Sequence, residues 1–294
     1  MARRGPVGST RRPPRGAAVN RARLPFGERV AFAGLLAVVL AASLFPFFWM
    51  LTTSFKLQRE IQTPHPTLLP AEWTLVNYRD LLDTFPMIRH LGNSVLYAGG
   101  VTLLSLACNS LAAFAFACLS FPGRERLFTL LLLSMMVPMQ ITLLPLFLTL
   151  KFLGLLNTMA GLVLPGGASV LGIFLLRQFM KDLPVELLEQ ARLDGCGEFT
   201  LFWRVVLPLC KPIFASLGVF TFVTAWNELL GPLVIMLRES GYPLPVALAT
   251  LTSEHGGEWG MMMAGAVLAV IPSLLVFVLA QRHYLRGITA GAVR

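Results

Sequence analysis

Six long apolar stretches set the limits on this chain. They fall at about residues 30–51, 92–119, 127–150, 159–180, 208–237 and 261–281. Each is long enough to cross a hydrocarbon core of about 30 Å as a helix, which takes roughly 20 residues. Of the 294 residues, 55% are hydrophobic and 13% are charged, about half the charged share of a soluble domain. That leaves too little polar side chain to cover a water-soluble fold. The chain is expected to be all-α and polytopic, with six transmembrane helices, because only a helix satisfies its own backbone in lipid without closing a barrel.

The gaps between the stretches give an orientation. Lysine and arginine number eight in residues 1–29, two in 120–126, five in 177–211 and three in 282–294, against six in all the other gaps. Cytoplasmic loops carry such an excess, so both termini and the 177–211 segment are expected in the cytoplasm, in agreement with an even number of spans. The expected organisation is a basic arm (1–29), a membrane domain (30–281) carrying a cytoplasmic loop (181–212), and a cytoplasmic tail (282–294). The net charge of +9 is used in setting topology. No basic surface stripe interleaved with aromatics is present, which argues against nucleic acid.

The arginine-rich start resembles a signal peptide, but its apolar run is too long and five more follow. Arg11-Arg12 is followed by Pro13-Pro14, where a twin-arginine signal continues with apolar residues. Cys108, Cys118, Cys196 and Cys210 have no CxxC spacing, and His65, His90, His255 and His283 are scattered. No metal site is expected from them, and packing is the expected role of the cysteines. Pro46, Pro138, Pro145, Pro165, Pro232 and Pro272 lie within apolar stretches. Each removes a backbone donor; the alternatives are a simple kink or a break that borders a pathway.

The segment 181–212, KDLPVELLEQARLDGCGEFTLFWRVVLPLCKP, is the most informative. Pro184 suits a helix start. Leu187, Leu188 and Ala191 recur at helical spacing on one face, with Glu186, Glu189 and Arg192 on another. Asp194-Gly195 stops the helix, the glycine suiting a left-handed cap. A second short helix is expected with Phe199, Phe202, Trp203 and Val206 on one side, ending at Pro208. Two amphipathic helices at a sharp angle make a knob fit to dock on a partner. The alternative is a helix lying on lipid headgroups, which its acidic face opposes.

This segment resembles the cytoplasmic "EAA" loop of ABC-importer permeases. Glu189, Ala191, Asp194, Gly195, Leu207 and Pro208 match that pattern, while Gln190 replaces its central alanine and Cys196 its usual small residue. Trp226-Asn227-Glu228 with Pro232 is similar to the W-N-[DE]…P element of carbohydrate-type permeases. Further likenesses are Ser54-Phe55-Lys56, Asn77-Tyr78, Asn93-Ser94, Phe121-Pro122-Gly123-Arg124, Leu176-Arg177-Gln178, Arg286-Gly287 and Gly291-Ala292-Val293. From about residue 30 onward the chain resembles the six-span permease of maltose and glycerol-phosphate importers.

The resemblance implies a type I ABC-importer permease fold in a bacterial or archaeal inner or plasma membrane. It implies import of a sugar or related small solute delivered by an extracytoplasmic solute-binding protein. The partners it implies are a nucleotide-binding ATPase dimer and a second permease, by family habit a different subunit. Loop residues Glu186, Leu187, Glu189, Ala191, Asp194, Gly195, Leu207 and Pro208 would couple the chain to the ATPase. The chain itself is not expected to be an enzyme or to bind a cofactor, ATP and Mg²⁺ belonging to the partner: its sequence has no G-x-x-x-x-G-K-[ST]. Trp226, Asn227 and Glu228 are candidates for the translocation path. Trp226 stacks on a sugar ring or packs between helices. Glu228 lines the path or is a protonated or paired structural residue. The rivals are a stand-alone secondary transporter, which would use more intramembrane charge than Glu228 supplies, and an intramembrane enzyme, for which no paired catalytic groups are present.

Overall fold

The computed structural model describes residues 26–254 and 257–292, with side chains described at 27–251 and 257–279. Most of the expected basic arm therefore lies outside the described residues. Among the described residues every regular element is helical. The chain divides into two units, residues 1–48 and residues 49–294. Most of the first helix belongs to the former, and all later helices belong to the latter.

In chain order the helices are α1 (Phe26–Ser54), α2 (Gln58–Ile61), α3 (Val76–Thr84), α4 (Met87–Cys118), α5 (Arg124–Leu133), α6 (Met139–Phe152), α7 (Met159–Val163) and α8 (Val170–Lys181). They continue with α9 (Val185–Leu193), α10 (Glu198–Leu201), α11 (Leu207–Leu209), α12 (Lys211–Trp226), α13 (Leu230–Ile235), α14 (Leu244–Glu254) and α15 (Trp259–Ala292). Among the described residues three stretches, Gly27–Ser54, Met87–Cys118 and Trp259–Leu279, are long and apolar enough to cross a membrane unbroken, and three bent helix pairs bring the possible spans to six.

At Pro138 and Pro165, where the sequence left a simple kink or a break as the alternatives, the structure has breaks. The third stretch is broken between α5 and α6 by 102°. Pro138 has no N–H to continue the ladder, and Val137 before it is extended at ψ 116°, as a residue preceding proline prefers. The fourth bends by 42° where the 3₁₀ turn Leu164–Gly167, holding Pro165, gives way to extended Ala168. Ser169 then caps α8 by accepting the Gly172 amide at 3.2 Å. The fifth, 208–237, opens at 79° to the preceding Glu198–Leu209 segment at Cys210 and is interrupted beyond Trp226, so Glu228 sits in a gap between α12 and α13. By contrast, Pro46, Pro145 and Pro272 lie inside continuous helices. The last helix continues to Ala292, past the expected end at 281.

Helix α4 organises the packing. It lies against α8, α12, α7 and the Leu164–Gly167 turn, and its 32 residues span about 48 Å at 1.5 Å per residue. One apolar core surrounds its first half, with Tyr97, Ala98 and Val101 packed among Trp226, Ile235 and Leu244. A second surrounds its last turns, where Ala113 and Phe114 meet Phe128, Leu176, Leu188, Leu201, Phe202 and Val206. The polar Asn109 is fully buried between the two. Its Nδ2 donates to Ser105 Oγ at 2.8 Å, and its Oδ1 accepts the Ser169 amide at 2.9 Å. The side chain thus satisfies backbone that the break before α8 leaves without a helical partner.

Candidate coupling loop and membrane cavity

The segment between α8 and α12 folds as a two-armed knob. Its first arm, α9, matches the expected helix. Leu188 is buried and Ala191 half-buried in the second core. Leu187, expected on the same face, is 43% exposed: adjacent residues point about 100° apart around a helix, so Leu188 takes the core position alone. The arm ends at Asp194 with Gly195 at φ +83°. The Cys196 amide donates to Ala191 O and the Gly195 amide to Arg192 O, both at 3.0 Å, the paired closure of a Schellman motif. A Cβ at Gly195 would meet no atom within 4 Å, so the backbone conformation alone asks for glycine.

The second arm runs from Glu198 through the π-helical turn Phe202–Val206 to Leu209, one residue past the expected end at Pro208. Proline crowds the carbonyl one turn back, and the widened turn before it takes up that crowding. The wide turn also shifts the helix phase. Phe202 and Val206 are buried together with Leu201, while Phe199 (70%) and Trp203 (52%) face outward. The four residues expected on one side are split two and two.

What the knob presents is therefore mixed in character. Glu186, Glu189, Gln190, Asp194 and Pro208 are exposed, Leu207 is half-buried, and Leu193 is 86% exposed. Arg192 makes its hydrogen bonds to other partners than the two glutamates on its face. Its Nε and Nη2 hold the two oxygens of Glu198 at 2.9 and 3.1 Å, and Nη2 also donates to Cys118 O at 3.0 Å. The Glu198 hydrogen bond raises the guanidinium pKa further above its already high usual value.

A second feature lies along the first half of α4. A cavity of about 610 Å³ is lined by Tyr97, Val101 and Ser105 of α4, together with Met139, Ser169, Thr224 and Glu228 among others. Residues from the start of α6, from the break before α8 and from the gap after α12 all border it. Irregular backbone at membrane depth is tolerated where it lines a cavity, which accounts for the interruptions before α6, before α8 and after α12. Glu228 Oε1 accepts the Gly231 amide at 3.2 Å, holding the first turn of α13, while the carboxylate borders the cavity. Trp226 and Asn227 are placed differently. Trp226 is 2% exposed, stacks on Phe222 and donates from Nε1 to Ala269 O of α15 at 3.2 Å. Asn227 turns its amide back onto Val223 O at 2.8 Å. Of the triplet, Glu228 borders the cavity and Trp226 packs between helices.

Sequence reading missed Tyr97, Ser105, Asn109 and Ser169. Asn109 carried a usable signal, since an amide in an apolar stretch must find partners. The free cysteines are dispersed: Cys210 is buried, Cys118 and Cys196 are half-buried and Cys108 is exposed.

Residues 109–289 match the family described as binding-protein-dependent transport system inner membrane component. The chain belongs to that family. This permease is 32% identical over 261 residues to the arabinooligosaccharides transport system permease protein AraQ of Halalkalibacterium halodurans, covering 88% of its own length and 94% of the relative's. It is 37% identical over 233 residues to the osmoprotective compounds uptake permease protein GgtD of Synechocystis, covering 78% of each chain. Its fold is similar to a chain of a bacterial ABC transporter involved in the import of the acidic polysaccharide alginate, with a TM-score of 0.80 at 22% identity over 88% of the permease and 98% of that chain. The permease is thus a multi-pass membrane subunit of a binding-protein-dependent importer, with the all-α permease fold that the loop resemblance implied.

Proposed function

We propose that this permease carries a sugar or sugar-like solute inward, driven by an ATPase that docks on the knob at 181–212. The observation that carries this reading is the knob's construction. Leu188, Leu201, Phe202 and Val206 anchor it in the second core, while Glu186, Glu189, Leu193, Phe199 and Trp203 stand exposed. A surface that joins apolar and acidic groups on a well-anchored base suits a partner with an apolar cleft rimmed by basic residues. Glu189 meets a cation of that cleft. Gly195 sets the angle between the arms, and Leu207-Pro208 carries the second arm back towards α12.

The partner ATPases bind the nucleotide and its magnesium; the permease supplies the path. Closure of the ATPase pair moves the knob, and the helices attached to it shift the cavity between two openings, a change of population between two states. A second permease, different from this one, completes the path. Apolar residues exposed on α5 and α6, among them Leu130, Ile141 and Leu144, suit that subunit or lipid. An extracytoplasmic binding protein delivers the solute, and both termini face the cytoplasm. The sugar assignment draws on the substrates named for the relatives, arabinooligosaccharides and alginate among them.

Affinity purification of the tagged permease from native membranes tests the reading. A nucleotide-binding ATPase and a second permease are expected to accompany it. Glu189→Lys is expected to insert normally and to lose the ATPase, since two cations would then face each other. Isolation of the permease alone, or retention of the ATPase by Glu189→Lys, would overturn the docking assignment.

A further inference from the structure

The cytoplasmic end of α4 is held by three arginines from three different elements. Arg177 of α8 donates from Nε to Phe116 O at 3.2 Å, Arg192 of α9 to Cys118 O at 3.0 Å, and Arg124, at the start of α5, to Leu119 O at 2.8 Å. These carbonyls belong to the last turn and the C-cap residue of a helix ending at Cys118, where acceptors lack intrahelical partners and the helix dipole favours cations. Each guanidinium is also tied to a carboxylate: Arg177 to both oxygens of Glu125 at 2.8 Å, Arg124 to Glu125 at 3.3 Å, and Arg192 to Glu198. Arg177 additionally lies 3.8 Å from the centroid of the Phe128 ring.

Two of the three, Arg124 and Arg177, join α4 to neighbouring membrane helices. Arg192 alone of the three comes from the knob. Its partner Glu198 opens the second arm, so one guanidinium fastens both arms to each other and to α4. The rest of the junction is apolar, with Phe202 5.3 Å from Phe114 between ring centroids. Apolar contact is non-directional and does not by itself specify one register along the helix axis. A charged hydrogen bond to a helix-terminal carbonyl fixes the knob along the helix axis. The same helix lines the cavity with Tyr97, Val101 and Ser105.

We infer that Arg192 is the positioning residue that transmits displacement of the knob to α4, and through α4 to the cavity. The inference rests on the docking reading above. In that division of labour the exposed acidic and apolar groups hold the ATPase, and Arg192 passes the motion on without touching it. Loss of Arg192 therefore separates ATP hydrolysis from movement of the cavity.

The test uses the full complex purified from native membranes, with the native cysteines replaced and Thr224→Cys placed in the cavity lining. The probe is a charged, membrane-impermeant maleimide, and the readout is the change in labelling rate on adding ATP and vanadate. Arg192→Gln is expected to keep the ATPase bound and hydrolysing, while the ATP-driven change in labelling falls about tenfold, as for loss of one charged hydrogen bond. Glu198→Gln leaves the guanidinium on Cys118 O and is expected to keep most of the response. If Arg192→Gln does not accumulate, Arg192→Met is read in the same way, because its unbranched stem packs as the arginine's does and offers no donor to Cys118 O. A full labelling response in the arginine variant, or an equal loss in Glu198→Gln, would overturn the inference, as would release of the ATPase by Arg192→Gln. Should the reference complex lack an ATPase or show no ATP response, the docking reading falls, and the inference with it.

Discussion

The contact between Asn109 and Gly172 gives a sharp test of how the broken fourth span is held. Asn109 is fully buried and makes two hydrogen bonds, to Ser105 and to the Ser169 amide. Gly172, in the first turn of α8, lies so close that a Cβ there would press directly on Asn109 Nδ2 and sit 3.5 Å from Leu217 Cδ2. Asn109→Ala removes both bonds and strands a partly buried amide, a loss of about 2–3 kcal/mol. Gly172→Ala gains about 0.5–1 kcal/mol in helix propensity, but overpacking against a fixed amide costs about 1–3 kcal/mol, so a net loss is expected. In the Asn109→Ala background the obstructing amide is gone, and the same methyl enters vacated space. There Gly172→Ala is expected to be neutral or stabilising. The coupling between the two sites is then about 1–3 kcal/mol, within the range for residues in contact. Because detergent-solubilised membrane proteins unfold irreversibly, the assay is the half-life of the folded permease at fixed temperature. Each 1.4 kcal/mol is up to tenfold in that half-life. Equal effects of Gly172→Ala in both backgrounds would refute the idea that Asn109 fills the space the glycine leaves.

Other outcomes rest on the same geometry. Gly195→Val should place a β-branched residue at φ +83°, where even an ordinary side chain loses about 1–2 kcal/mol; reduced recovery of the ATPase with correctly inserted permease is the expected result of co-purification. Trp226→Phe should lengthen or shorten the folded half-life by no more than about tenfold, since it removes one neutral hydrogen bond to Ala269 and keeps the ring stack. Trp226→Ala should cost about 3–5 kcal/mol, and uptake that fails before the fold does would contradict a packing role. Orientation is checked by single cysteines: Ser240→Cys should react with an impermeant thiol reagent in intact cells, and Gln190→Cys only after the inner face is opened.

Features decided by near neighbours in the chain were legible without coordinates. The α9 helix and its Gly195 cap follow from Pro184, the spacing of Leu188 and Ala191, and the Asp-Gly stop. Pro138 and Pro165 announced interruptions, yet Pro46, Pro145 and Pro272 look alike in sequence and lie inside unbroken helices. Proximity to the cavity does not separate the two sets either: Pro165 lines it at a break, while Pro145 sits in unbroken α6 between the lining residues Thr142 and Leu146. The wide turn at Phe202–Val206 was invisible as well. Apolar periodicity assumes a constant 3.6 residues per turn, and the turn changes that phase within the segment being read. Arg192 was read as one charge on a polar face because its targets, Glu198 and Cys118 O, lie six and 74 residues away in sequence. The Trp226-Asn227-Glu228 triplet was grouped by its resemblance to a W-N-[DE]…P element. Helix geometry dispersed it, sending the indole towards α15 and the carboxylate to the cavity rim.

Helix α4 carries the cavity lining at Tyr97, Val101 and Ser105 and the arginine-clasped terminus at Phe116–Leu119. Ser105 and Phe116 are 11 residues apart, about 16 Å along the helix axis. Substitutions that reshape the lining therefore leave the clasp untouched, and those that alter the clasp leave the lining. Under the proposed pathway and docking assignments, a lineage can change its cargo while keeping its engine, because selection acts on the two ends of one rod separately. On that reading, the solute pathway can diversify without renegotiating its contact with the power source.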